Sequence, residues 1–302
     1  METWVENVDL ENTPHILYRN EFAKKIKNLN PEKIIQLYTY QNMKSASNLI
    51  SIIDNYFTLP LSGIGVELGA GTGLFSNAFI LYGAKKIYAV EIIPEITKNI
   101  IPKVAEYYLK NNSTKIISVN GSFDNIRLPN NSIDFIFQYD SFHHSFNLGK
   151  TFKESYKKLK RGGVLVMIDR CHPDSFTNEK VNYLLNIKYD EKQLVDQGFP
   201  KGMGLTRRES GEHEYRRREW LIAINNAGFK IKLFRTFYNK ITLKQLYWYF
   251  LGKINNPNEY CNNLLIIYLA QNFGIYFRDK HTLTPMKETG FNYKTLGILI
   301  KK

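Results

Sequence analysis

Val66-Glu67-Leu68-Gly69-Ala70-Gly71-Thr72-Gly73 is the stretch on which the reading of this chain turns. The apolar run Ile64–Leu68 leads into it, and the helical pattern Leu74–Tyr82 leaves it. Strand, glycine turn and helix in that order form the context of a nucleotide-binding turn. Glycine lets the backbone bend sharply and lets a ligand approach the main chain. The spacing is G-x-G-x-G with an acid two residues ahead, not the G-x-G-x-x-G that offers a helix N-terminus to a pyrophosphate. Glu67 would repel a pyrophosphate and suits a ligand carrying an ammonium and a sulfonium.

Outward from this turn, short apolar runs alternate with helical segments. Strands are expected at 86–91, 115–119, 133–138, 164–168, 229–234 and 295–300, with helices over 94–109, 151–159 and 217–226. Such alternation implies right-handed crossovers and a parallel sheet. Residues 170–215 are polar and show no clean strand, and 237–292 holds two aromatic-rich helical patterns, 243–251 and 260–271. The first sixty residues read as helices, with Pro31 at a first helical turn. The expected organisation is an N-terminal helical cap over 1–59 and an α/β domain over 60–302, with insertions at about 170–215 and 237–292. The long connection before the last strand is a candidate lid or homodimer surface.

The 302 residues carry a net charge of +13, with 43% hydrophobic and 23% charged residues, the balance of a globular protein. No apolar run is long enough for a membrane span, and the first residues lack a secretory pattern. Cys171 and Cys261 form neither metal-ligand spacing nor a disulfide framework, which fits a cytoplasmic setting. Most lysines are scattered, so the positive charge reads as compositional background more than as a nucleic-acid surface. The arginines are not scattered. Arg207, Arg208, Arg216, Arg217 and Arg218 fall in one polar stretch. They read either as an anion-binding patch for an acceptor or as a solvated helix start paired with Glu209, Glu214 and Glu219.

The glycine turn resembles motif I of class I S-adenosylmethionine-dependent methyltransferases, in particular the small-molecule enzymes often called type 11. The resemblance is close over 60–170 and looser beyond. It implies a Rossmann-like sheet of seven strands, the last inserted antiparallel between the fifth and sixth, with S-adenosyl-L-methionine as cofactor. On that resemblance Glu67, Gly69, Ala70, Gly71 and Gly73 face the cofactor, and Glu91 with Ile92 meets its ribose. Ser122, Phe123 and Asp124 occupy the adenine loop, where family members often carry an acid directly after the glycine and this chain has Ser122. Gln138 ends the fourth strand, and His143 and His144 follow at the edge where cofactor and acceptor meet.

Imidazole titrates near neutrality, so His144, and His213 from the Arg-rich stretch, are candidate proton acceptors. The same His pair could be purely structural. Asp140, Asp169, His172 and Asp174 do not reproduce a known metal-ligand spacing, and no metal is expected. The first expectation for function is O-methylation of a small polar or anionic metabolite such as a sugar or sugar nucleotide. The alternatives are an RNA methyltransferase, which the charge favours but the absence of an N-P-P-[YF] motif does not, and a non-catalytic scaffold of the same fold.

Overall fold

The computed structural model describes residues 1–4, 14–39, 42–196, 199–238 and 293–302. The helical patterns expected at 243–251 and 260–271 lie outside them. Among the described residues eight strands form one sheet: β1 (Glu2–Thr3), β2 (Ile64–Leu68), β3 (Lys86–Glu91), β4 (Ile116–Asn120), β5 (Ile133–Tyr139), β6 (Leu159–Asp169), β7 (Lys230–Tyr238) and β8 (Tyr293–Ile300). Their order is β1-β4-β3-β2-β5-β6-β8-β7. β1 to β6 pair in parallel, and β8 runs antiparallel to both neighbours, with Met167 opposite Gly297 and Thr236 opposite Thr295. The expected topology is therefore present, and the expected seven strands become eight. The added strand is a two-residue edge, too short to carry a period of two. It is held by parallel pairing of Glu2 with Val119 and by the buried Trp4, whose N–H donates to Asn120 O at 2.8 Å.

Alternation along the strands sends side chains into two cores. Ile87, Ala89, Phe135, Phe137, Val164 and Val166 face one, and Val66, Leu68, Val90, Ile136, Leu165 and Met167 face the other. The first core is covered by α1 (Pro14–Ile26), α2 (Pro31–Tyr38), α3 (Met43–Phe57), α4 (Leu74–Tyr82) and α5 (Ile101–Leu109). The second is covered by α6 (Leu148–Lys158) and α9 (Arg217–Ala227), whose Trp220 is fully buried. The helix expected over 94–109 begins as a π-helical turn, Ile96–Ile100, before α5. Pro102 has no N–H to donate four residues back, and the wider turn accommodates that loss.

The described residues of 170–215 contribute two short helices, α7 (Asn178–Asn186) and α8 (Glu191–Asp196), and no strand, as their polarity implies. Among the described residues no helix is long and apolar enough to cross a membrane.

Gly65, in the central strand β2, has no room for a side chain: a Cβ there would lie 2.3 Å from the Phe135 ring and 2.7 Å from Ile87. Gly65→Val is expected to lower stability by about 1–3 kcal/mol through overpacking, read as a fall in the urea midpoint at unchanged slope. An unchanged midpoint would contradict this packing.

Candidate functional site

The glycine turn joins β2 to α4 with Gly69, Gly71 and Gly73 all at positive φ (75°, 50° and 77°), a conformation that costs L residues and not glycine. A Cβ at Gly69 would lie 2.4 Å from that of Ser141, whereas Gly71 faces nothing within 4 Å. The turn is fastened to β3: Gly69 N and Ala70 N both donate to Val90 O at 2.9 Å, and Gly71 N donates to Glu91 Oε2 at 2.9 Å. The other Glu91 oxygen accepts from Ile92 N at 2.8 Å and Ile93 N at 3.1 Å. Burial raises the Glu91 pKa, and these backbone donors oppose the rise.

Glu67 sits beneath the turn, 3% exposed, and accepts from Ser76 N at 2.7 Å and from the Ser76 hydroxyl. Burial pushes its pKa from 4.5 to about 8, with Ser76 opposing the rise. From β4, Asn120 Nδ2 donates to Ile92 O at 2.9 Å and brings the loop 121–124 alongside. Phe123 then reaches the turn and packs on Phe142, with ring centroids 5.5 Å apart. Asp124 accepts from Thr151, and its N–H donates to Ser122 Oγ at 3.3 Å. Gln138 is fully buried at the end of β5. Its Oε1 accepts from Ser141 N at 3.2 Å and Ser141 Oγ at 3.0 Å, and its Nε2 has no partner among the described residues. The structure thus brings Glu67, Gly69, Ala70, Gly71, Gly73, Glu91, Ile92, Ser122, Phe123, Asp124 and Gln138 to one stretch of the sheet's C-terminal edge.

The His pair lies beside this stretch, in a single 3-10 turn after β5. Asp140, just before it, has φ of 52°, a strained conformation for a non-glycine residue. His143 is enclosed by acids: Nδ1 lies 2.7 Å from Asp169 Oδ1 and Nε2 lies 3.4 Å from Glu212 Oε2. His144 Nδ1 is 2.9 Å from Gly211 O. A carbonyl can only accept, so Nδ1 carries the proton and Nε2 is the basic nitrogen. Burial, and secondarily the charge of His143, lowers the His144 pKa to about 3.

His144 lines a cavity with Arg19, Tyr189, Leu194, Phe199, Leu205, Ser210 and Glu212. His213 is turned elsewhere: its ring packs on Phe146 at 5.0 Å and Tyr215 at 5.5 Å, and its N–H donates to His143 O at 3.0 Å.

A buried charge network underlies this half of the site. Glu212 accepts from Tyr189 Oη at 2.9 Å, from Arg170, and from Arg207 Nη2 at 3.3 Å. Burial would raise its pKa, yet Arg170, Arg207, His143 and His144 together hold it well below the carboxylate range. Glu214 is shared by Arg207 and His172 and is depressed to about 2 against the effect of burial. Lys294 of β8 ion-pairs with Asp140. The triads Asp140, His143, Asp169 and His143, His144, Glu212 each have ligand-type atoms within 4.8 Å of one another. Lys294, Arg170 and Arg207 already supply positive charge there.

The arginine cluster is spent largely on the protein. Arg207 is buried on Glu214 and Glu212. Arg216 donates to Phe176 O at 2.5 Å and Asn178 Oδ1 at 2.6 Å. Arg217 lies over the Phe234 ring at 5.3 Å, and Arg208 reaches Asn182 at 3.1 Å on the surface. Sequence reasoning missed Glu212, Arg170, Tyr189, Arg19 and Tyr38. Only Arg170 gave a local signal, as a charge placed directly after a buried strand.

Glu67 also gives a pH test. Its folded pKa lies above the unfolded value, so the folded state holds the extra proton. The stability it contributes is fully present below pH 4.5 and lost as the pH rises through about 8. Glu67→Gln is expected to remove that slope, seen as a wild-type minus variant difference in urea midpoints that changes steadily across the window. A pH-independent difference would count against a protonated Glu67.

The sequence over residues 66–167 matches the family described as "Methyltransferase domain". The chain is 26% identical over 119 residues to the sterol 24-C-methyltransferase erg6 of Aspergillus fumigatus, covering 39% of this chain and 28% of that protein. It is 30% identical over 134 residues to an uncharacterized methyltransferase-like protein of Schizosaccharomyces pombe, covering 44% of this chain and 48% of the other. The chain therefore spans less than half the length of these curated relatives. Among solved structures, the putative sarcosine dimethylglycine methyltransferase from Galdieria sulphuraria superposes with a TM-score of 0.55 at 18% identity, covering 86% of each chain. Residues 66–167 match the methyltransferase-domain family, within a chain that has the fold of class I S-adenosylmethionine-dependent methyltransferases.

Proposed function

We propose that this protein transfers the methyl group of S-adenosylmethionine to an oxygen atom of a small acceptor seated beside His144. The observation that carries the reading is His144 itself, held in one tautomer by Gly211 O with its basic nitrogen left for a ligand in the adjoining cavity.

The residues present suit the cofactor. Gly71 leaves main chain open to an approaching ligand, and Tyr38 Oη and Gln138 Nε2 are buried polar atoms with no partner among the described residues. An orphaned buried polar group costs about 1–3 kcal/mol, which a bound polar ligand relieves. Glu91 is placed to accept from ribose hydroxyls, and Glu67 lies beneath the turn as a buried acid whose ionisation a cationic ligand would favour. The cofactor supplies a methyl group on a sulfonium, already equipped with its leaving group. The protein's tasks are to align the acceptor, exclude water and take the proton.

For the last task a low basicity suffices. An oxygen that has received a methyl while still protonated is a far stronger acid than imidazolium, so His144 Nε2 accepts its proton downhill. With burial lowering its pKa to about 3, His144 is neutral near pH 7 and needs no prior deprotonation. Helices α1 to α3 and residues 170–215 act in this reading as a cap over the sheet edge. The anionic part of an acceptor does not fall to the cluster at 207–217, whose members have partners of their own. That weakens the case for a sugar nucleotide, whose two phosphates would call for several free arginines.

Calorimetry is expected to show S-adenosylhomocysteine binding that Glu91→Ala weakens by about 1–3 kcal/mol. Tight NAD binding without a response to S-adenosylhomocysteine would end the reading. His144→Ala is expected to lower kcat by about 10²–10⁴ at little cost in S-adenosylhomocysteine affinity. The wild-type rate should show no acidic limb near the ordinary imidazole value of 6.5, because burial lowers the His144 pKa to about 3. A limb at that value abolished by His144→Ala would contradict the burial assigned to this residue.

A further inference from the structure

We infer that the N-terminal helices complete the cofactor site: the Arg19 guanidinium of α1 pairs with the carboxylate at the cofactor's amino-acid end, and the Tyr38 hydroxyl of α2 donates to the same group. This rests on the S-adenosylmethionine reading above. It adds residues from outside the methyltransferase-domain match, which begins at residue 66.

Both side chains stand on the inward faces of their helices. Ile16, Ala23 and Ile26 are buried on α1, and Arg19 shares their face, three residues after Ile16 and four before Ala23. Ile34 and Ile35 are buried on α2, and Tyr38 follows them at the same spacing. Such positions ordinarily take apolar residues. Arg19 is half-buried and makes no ion pair or hydrogen bond among the described residues. Tyr38 Oη is buried and has no partner among them. Buried polar groups are nearly always paired, so two such groups at one place point to a ligand.

The two helices are fixed over the chain that leaves Glu91. Asn20 Oδ1 accepts from Glu95 N at 2.9 Å, Lys27 pairs with Glu95 at 3.0 Å, and the Tyr38 ring packs on Phe22 with centroids 5.6 Å apart. Arg19 and Tyr38 both lie within electrostatic reach of Glu91. Burial raises the Tyr38 pKa, Arg19 opposes the rise and Glu91 adds to it; burial likewise raises the Glu91 pKa, with Arg19 among the groups that oppose it. Arg19 also lines the cavity at His144. It therefore stands between the ribose acid and the proton acceptor. In the cofactor one sulfur joins ribose, methyl and amino-acid chain. A ribose on Glu91 and a methyl directed at His144 leave the carboxylate to the groups in between.

Charge and space favour this carboxylate over one from the acceptor. The cavity that Arg19 shares with His144 measures about 20 Å³, room for one water or a single hydroxyl and not for the acidic part of an acceptor. The other cations of the site are committed: Lys294 to Asp140, Arg170 to Glu212, and Arg207 to Glu214. Glu67 and Glu91 offer a carboxylate no counter-charge. Among the described residues Arg19 remains to neutralise it, and its planar fork matches a carboxylate.

Calorimetry on the full chain compares S-adenosylhomocysteine with its decarboxylated analogue, which keeps the adenosine and the amine. The wild type is expected to prefer S-adenosylhomocysteine by about tenfold or more, as for a hydrogen bond to a charged group. Arg19→Gln should bring S-adenosylhomocysteine down to the level of the analogue and leave the analogue's own affinity unchanged. Arg19→Lys should restore part of the preference, and Tyr38→Phe should lower it by a smaller factor than Arg19→Gln. Binding of the analogue reports that each variant keeps its fold; should Arg19→Gln lose its cooperative urea transition, the other two variants carry the comparison. Equal weakening of both ligands by Arg19→Gln assigns the guanidinium to Glu91 and the ribose and overturns the inference, as does a preference that Arg19→Gln leaves intact. An unchanged preference in Tyr38→Phe removes the hydroxyl from the site. In each of these cases wild-type affinity for S-adenosylhomocysteine keeps the methyltransferase reading standing, whereas a wild type that binds neither ligand removes both.

Discussion

The carboxylate of Glu212 stands between two guanidiniums, an imidazole and a phenol, and the acceptor half of the molecule is organised around it. A buried ion costs several kcal/mol in lost hydration unless its partners are close and complete. Here they come from separate parts of the chain: Arg170 follows β6, His143 follows β5, and Arg207 and Tyr189 belong to the polar insertion. No part of this arrangement can withdraw without leaving a charge stranded, a loss of about 3–5 kcal/mol when one member of a buried pair is removed. The insertion is therefore a fixed wall. His144, tied through its neighbour to Glu212 and through its own Nδ1 to Gly211, takes its orientation from that wall.

The two halves of the site are built by different means. On the cofactor side, backbone does most of the holding: a turn at positive φ, amides on the oxygens of Glu91, and an asparagine bridging adjacent strand ends. On the acceptor side, side chains do it, through ion pairs and aromatic contacts that span long sequence separations. Backbone geometry tolerates exchange of most side chains, whereas a charge network depends on every member. One fold can thereby keep its cofactor while its acceptor changes.

This division also explains what was legible in the sequence. Gly69, Gly71 and Gly73 announce themselves because only glycine is at ease at positive φ, and Glu91 because it ends the strand that follows the turn's helix. The alternation of Phe135 and Phe137 with Ile136 shows a sheet covered on both faces. Glu212 was not legible, since nothing local says which guanidinium an acid will meet. Arg19 and Tyr38 lie on helices whose periodicity marks a buried face but not what is buried beneath it. Strand β1 escaped notice because two residues have no period.

The placement of β8 between β6 and β7 bears on the order in which the chain acquires its structure. Every strand from β2 to β6 meets a neighbour separated from it by at most a crossover helix and another strand, so this half can assemble as the chain is made. β7 cannot. Its contact with the sheet runs through β8, and the stretch from Tyr238 to Tyr293 must be synthesised before that contact exists. At about 5–20 residues per second, the free edge of β6 stays open for seconds, with the contiguous apolar residues of Val164–Ile168 unpaired on one side. An exposed edge of that kind invites pairing with the wrong chain. The same closure brings Lys294 to Asp140, so the open edge and the unmatched carboxylate are resolved in a single event during biogenesis.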